Sequence, residues 1–173
     1  MSGACLVAGC GDVGGRLAAV LAERGETVYG LRRSGGPLPA GVRPLRVDLT
    51  APSLPALPRE ITRLVYLPAP IARDEATYRA LFVGGFVELV AALPRLERVL
   101  FVSSSAVYGD HGGDWVDENT PCVPLAFNGC VLLEAEAAVA ALDVPATVVR
   151  FSGLYGPGRL HLIERVASGR ART

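Results

Sequence analysis

Glycines 9, 11 and 14 stand in the order Gly-x-Gly-x-x-Gly directly behind the apolar run Ala4-Cys5-Leu6-Val7-Ala8. Where such a triplet joins a strand to a helix, Gly9 permits the tight turn and Gly11 leaves room for a pyrophosphate against the backbone. Gly14 lets helix and strand pack closely. The free N–H groups and positive dipole end of the helix, near Val13, would then face the phosphates. A ligand-free turn is the alternative, so the surroundings of the triplet decide between them. The exit of the second strand reads Tyr29-Gly30-Leu31-Arg32-Arg33-Ser34-Gly35-Gly36, with no carboxylate to take a ribose 2′-hydroxyl. Arg32 and Arg33, with Ser34 beside them, suit a 2′-phosphate instead, which favours NADP over NAD. Arg32 lies nearer the strand end and is the expected phosphate partner; two solvated arginines in a turn are the competing reading. Asp48, further along, could bind an adenine amine or close a turn.

Such residues need alternating strands and helices to hold them. Residues 4–8 read as a buried strand, and 13–24 carry Leu17, Val20 and Leu21 at helical spacing, with Gly25 where a helix stop belongs. Further strands are expected over 27–31, 43–49, 63–67, 98–104 and 146–151. Helices are expected over about 73–93 and 129–142, with a Gly-, Asp- and Pro-rich loop at 109–124 between the last helix and the strand before it. This alternation predicts an α/β fold: a doubly wound parallel sheet of about six strands in a three-layer α/β/α arrangement.

The 173 residues are one domain's worth of chain. Seventeen basic residues cancel seventeen acidic ones, and no basic stretch is interleaved with aromatics, so nucleic acid is not an expected partner. No segment reaches the roughly 18 apolar residues of a membrane span. The N-terminus carries neither a basic flank nor a cleavage pattern, so a cytoplasmic address is expected. Cys5, Cys10, Cys122 and Cys130 form no Cys-x-x-Cys pair, and His111 and His161 sit at no ligand spacing from them, so no metal site is expected. Every basic residue is arginine; the chain contains no lysine.

Two further stretches add to the glycine loop: VSSSAVYG at 102–109 and RFSGLYGPGR at 150–159. Together the three resemble the extended and atypical short-chain dehydrogenase/reductases, the NAD-dependent epimerase/dehydratase family, from the N-terminus to about residue 159. The resemblance implies a Rossmann fold, a bound nicotinamide dinucleotide, and a small hydroxyl- or carbonyl-bearing substrate such as a sugar nucleotide. It places Ser104 on the substrate hydroxyl, with Ser105 and the Tyr108 hydroxyl nearby. Ser103 would line the cofactor channel, Phe151 to Gly153 would approach the nicotinamide, and Asp12, Leu67 and Ala69 would join the cofactor site. Tyr155 and the Gly-Pro-Gly-Arg run would shape the floor of the substrate cavity. Without a ligand, the serine cluster can equally satisfy backbone groups in a turn.

The chain also departs from that family. The family's Tyr-Gly-x-Ser-Lys-x-x-x-Glu pattern falls on residues 128–136, where Asn128 replaces the tyrosine and Leu132 the lysine. Shifting the frame by one puts Phe127 and Val131 there, and neither carries a proton. Tyr108 and Cys130 are the remaining candidates for proton transfer, Cys130 because a helix start lowers a thiol pKa. The asparagine usual in the crossover between strands four and five is missing from LFVGGF at 81–86. Two function classes therefore stand: an oxidoreductase or epimerase-like enzyme with a nonstandard proton donor, or a dinucleotide-binding module or redox sensor acting through a partner. The expected units are an NAD(P)-binding domain over 1–159 and a helical tail over 160–173. Most of the family's C-terminal substrate domain is absent, which would leave an apolar face for a homodimer or a further segment to cover.

Overall fold

The computed structural model describes residues 3–170, so the outer limits of the two expected units, 1–2 and 171–173, lie outside the described residues. Six strands form, β1 (Ala4–Ala8), β2 (Val28–Arg32), β3 (Val42–Arg46), β4 (Ile61–Tyr66), β5 (Arg98–Ser104) and β6 (Ala146–Phe151). They lie in the order β3-β2-β1-β4-β5-β6, every pair parallel. This is the doubly wound Rossmann sheet, in which the connections reverse direction between β1 and β4 and open a crevice at the carboxyl ends of the strands.

Helices cover the sheet according to the two-residue period of its strands. On one face Cys5, Val7 and Val28 bury against Ala18 of α1 (Asp12–Glu23). The alternate residues Leu6, Leu64, Val99 and Phe101 bury on the other face. There they meet α2 (Glu75–Tyr78), the π-helical segment Arg79–Gly84, α3 (Gly85–Ala91) and α4 (Phe127–Ala140). Tyr66, fully buried, stacks on Phe101 at 5.5 Å and meets the edge of Phe86 at 5.2 Å. Its hydroxyl would be costly to bury unpaired, and it donates to the Leu81 carbonyl. The helix expected over 73–93 is therefore three pieces. Its backbone widens to a π turn where Leu81 serves that hydroxyl.

Other boundaries move for identifiable reasons. Pairing of β3 ends at Arg46 rather than 49, because Val47 and Leu49 turn into the core while Asp48 accepts from the Thr50 amide and hydroxyl, at 2.9 and 2.7 Å. A short 3₁₀ turn, Ser105–Val107, follows β5, and α5 (His161–Ala167) ends the described chain with no buried residue. No helix among the described residues is long and apolar enough to cross a membrane.

Candidate functional site

Two glycines close the turn after β1 for backbone reasons. Gly9 has φ +101°, a region L side chains rarely adopt, and a Cβ there would run into the Leu67 carbonyl. A Cβ on Gly14 would collide with the Gly9 carbonyl, so α1 approaches β1 only because that position is bare. Gly11 differs: it is the N-cap of α1, and a Cβ on it would meet nothing within 4 Å. Packing does not demand glycine there. Open space in front of the N–H groups that begin a helix is what an anionic group requires.

That space belongs to a cleft of about 650 Å³ at the carboxyl ends of β1, β2 and β4, the crevice of this topology. Gly9, Gly11, Asp12, Val13 and Gly14 form one end. Arg32, Arg33, Ser34 and Asp48 line the wall beyond β2, and Leu67, Ala69 and Phe151 border the rest. Ser103 and Gly153 are not among its lining residues. Ser103 is 5 % exposed with its Oγ buried and unpartnered among the described residues, while Gly153 is exposed after β6.

The polar groups of the cleft differ in how far they are committed. Arg32 gives one bond to the Pro37 carbonyl, at 3.2 Å, and also borders a second, smaller cavity between α1 and the 37–39 turn, where Arg16 lies. Asp48 takes both Thr50 bonds on the same oxygen, and they hold its carboxyl below the usual carboxylate range. Asp12 caps nothing; its two oxygens go to Arg159 and Arg16, whose guanidinium groups hold its pKa down.

The residues expected near a substrate sit apart from this lining. Ser104 is half-buried, and its Oγ accepts the Ala106 amide at 3.2 Å, closing the 3₁₀ turn. Tyr108 is 8 % exposed. Its hydroxyl accepts from Arg150 at 2.9 Å, and the same guanidinium stacks over its ring at 5.0 Å. Arg150 also grips Glu136 through Nε and Nη2, the latter at 2.7 Å, which raises the arginine's pKa further. On α4, Leu132 is buried in the core, Asn128 is half-buried, and Cys130 is exposed. Phe127 packs edge-on against Tyr78. Among the described residues of the lining, the ionisable ones are Asp12, Asp48, Arg32, Arg33 and Arg159.

Sequence reasoning placed Arg159, within the Gly-Pro-Gly-Arg run, on the floor of the substrate cavity rather than beside the glycine loop, and it missed Thr50 as a member of the cleft. Thr50 could have been found from the Asp-x-Thr spacing with Asp48, which signals a side-chain turn. No local signal pairs Arg159 with Asp12, which is 147 positions away.

The model of the NAD-dependent epimerase/dehydratase family matches residues 5–172. Protein YeeZ of Escherichia coli K12 is 43% identical over 68 residues, which are 38% of this chain and 24% of that protein. A solved structure from Methylobacillus flagellatus, assigned to the NAD-dependent epimerase/dehydratases, aligns at 38% identity and a TM-score of 0.78. The alignment covers all of this chain and 62% of the other. MoeE5, solved in complex with UDP-glucose and NAD, aligns at 30% identity and a TM-score of 0.76, over 91% of this chain and 56% of its own. This chain thus spans less than two thirds of the length of each.

Proposed function

The chain belongs to the NAD-dependent epimerase/dehydratase family, and from that premise we propose that it binds an NAD(P) dinucleotide in the cleft headed by Gly11, with NADP preferred. The observation that carries the reading is the bare N-cap of α1. Gly9 and Gly14 are glycine because the fold leaves no room for a Cβ, whereas Gly11 is glycine where the fold leaves room to spare. The diphosphate lies there against the first N–H groups of α1. Arg32, at the last position of β2 and between two cavities, takes the 2′-phosphate with Arg33 and Ser34. The second oxygen of Asp48 meets the adenine edge, Leu67 and Ala69 flank the dinucleotide, and Ser103, Phe151 and Gly153 lie toward its nicotinamide end. We assign residues 1–159 to this binding unit and 160–173 to a helical tail. The exposed Leu162, Ile163 and Val166 of that tail suit cover by a second copy.

For the chemistry, we propose an oxidoreductase or epimerase-like reaction on a hydroxyl or carbonyl compound, a sugar nucleotide by analogy with MoeE5. A bound nicotinamide supplies or accepts the hydride. Ser104 orients the substrate hydroxyl from the end of β5. Tyr108, the phenol closest to Ser104 in the chain, takes or returns the hydroxyl proton that accompanies the hydride, its own hydroxyl oriented by Arg150. The second reading, a dinucleotide-binding module without turnover, is favoured by one observation: among the described residues, the cleft lining contains no tyrosine, histidine or cysteine.

Titration of NADPH and NADH against the wild type and Arg32→Ala tests the cofactor assignment. The variant is expected to lose about 10- to 100-fold in NADPH affinity, the worth of one or two charge-assisted hydrogen bonds, and little for NADH. Equal loss for both dinucleotides would remove the 2′-phosphate role. A screen for hydride transfer to sugar nucleotides, aldehydes and ketones separates enzyme from module. A rate that falls at least about tenfold in Ser104→Ala supports the first, and no rate with any substrate supports the second.

A further inference from the structure

The segment after β6 returns across the mouth of the cleft. Gly156 and Arg159 exchange backbone hydrogen bonds, at 2.8 and 3.3 Å, forming the turn that presents Arg159. From it Arg159 Nε donates to one oxygen of Asp12, while Arg16 Nε donates to the other at 3.0 Å. Arg16 Nη2 also donates to the Pro157 carbonyl at 3.1 Å, so the turn is held to the first residues of α1 at two points. The terminal nitrogens of Arg159 have no hydrogen-bond partner among the described residues, and its side chain borders the cleft with Gly11, Asp12 and Val13.

An acid in the first turn suits the dipole of α1 but competes with any anion held at the same helix end. Asp12 does not cap α1, and a lone carboxylate there would oppose an anion bound to the same helix end. Two guanidinium groups set against it reverse the local sign, and only one of them, Arg159, lines the larger cleft. We propose that Arg159 is a ligand of the dinucleotide's diphosphate, supplied by the loop after β6 and kept in place by Asp12; the inference rests on the dinucleotide reading of the cleft. Guanidinium has five N–H donors in a rigid fork, so Nε stays on the carboxylate while the terminal nitrogens take phosphate oxygens. Asp12 is then a positioning residue for Arg159, and the phosphate is clasped between the α1 amides and an arginine 147 positions distant.

The test is calorimetric titration of the wild type, Arg159→Gln and Asp12→Asn with NADPH, and with 2′-AMP, which carries the 2′-phosphate and lacks the diphosphate. The side chain of Arg159 is 42% exposed, so its replacement keeps the fold. Arg159→Gln is expected to weaken NADPH about tenfold and to leave 2′-AMP unchanged, and Asp12→Asn, which loosens the hold on Arg159, to weaken NADPH by a smaller factor and also to leave 2′-AMP unchanged. Unchanged NADPH affinity in Arg159→Gln overturns the proposal, and so does an equal loss for 2′-AMP. A loss in Asp12→Asn larger than in Arg159→Gln also overturns it, since Asp12 would then act on the site by a route other than Arg159. Failure of the wild type to bind NADPH at all would instead refute the dinucleotide reading on which the inference stands.

Discussion

Three glycines spaced two and three apart carry different loads, and the difference is measurable one residue at a time. Alanine at position 9 must adopt φ +101° and push aside the Leu67 carbonyl. Gly9→Ala is therefore expected to cost about 2–4 kcal/mol in denaturant unfolding. Alanine at position 11 has open space, so Gly11→Ala is expected to change stability by well under about 1 kcal/mol while its methyl group fills the diphosphate's place and weakens NADPH binding at least tenfold. The reverse pattern, a destabilised Gly11→Ala that still binds, would show that the loop is built for packing alone. The sequence showed the triplet and the arginines after β2. The separate roles of the three glycines were legible in their spacing, but the Leu67 carbonyl that bars a side chain at Gly9 was not, because Leu67 comes from the far side of the β1–β4 crossover.

At the scale of elements, apolar runs and periodicity located the six strands, α1 and α4, but not the 3₁₀ turn at 105–107 or the division of the 73–93 helix, and errors arose where one group answers to a distant one. The start of α4 moves from 129 to Phe127 because its N-cap, Ala126, offers no side-chain acceptor to mark it. The π turn at Arg79–Gly84 reflects Tyr66 reaching Leu81 from another element, and the Asp12–Arg159 pair joins the first turn of α1 to the segment that follows the last strand. The same holds for the ion pair that ties β6 to α4. Arg150 and Glu136 have side chains only 21% and 10% exposed, and breaking such a pair leaves a charge without compensation. Glu136→Gln is expected to lower unfolding stability by about 3 kcal/mol, whereas replacing both residues with methionine should cost less than the sum of the single changes. A neutral Glu136→Gln would mean that Tyr108 alone steadies the arginine.

Taken whole, the molecule is a parallel sheet whose crevice is lined by the start of α1 at Gly11 to Val13, by Arg32 and Arg33 beyond β2, and by Arg159 from the segment after β6, the groups proposed here to hold the dinucleotide's phosphates. It covers 62% of the Methylobacillus flagellatus structure, and the aligned part includes the sheet and the helices that make this crevice. Fold and family are shared with proteins solved with a dinucleotide, and under the proposed reading the side chains facing this crevice decide which dinucleotide it takes and for what purpose. The most direct test is calorimetry on the folded wild-type chain with NADPH and NADH in turn. One saturable site per chain, with NADPH bound at least about tenfold more tightly than NADH, is the predicted result. No heat of binding from either dinucleotide would contradict the account at its root.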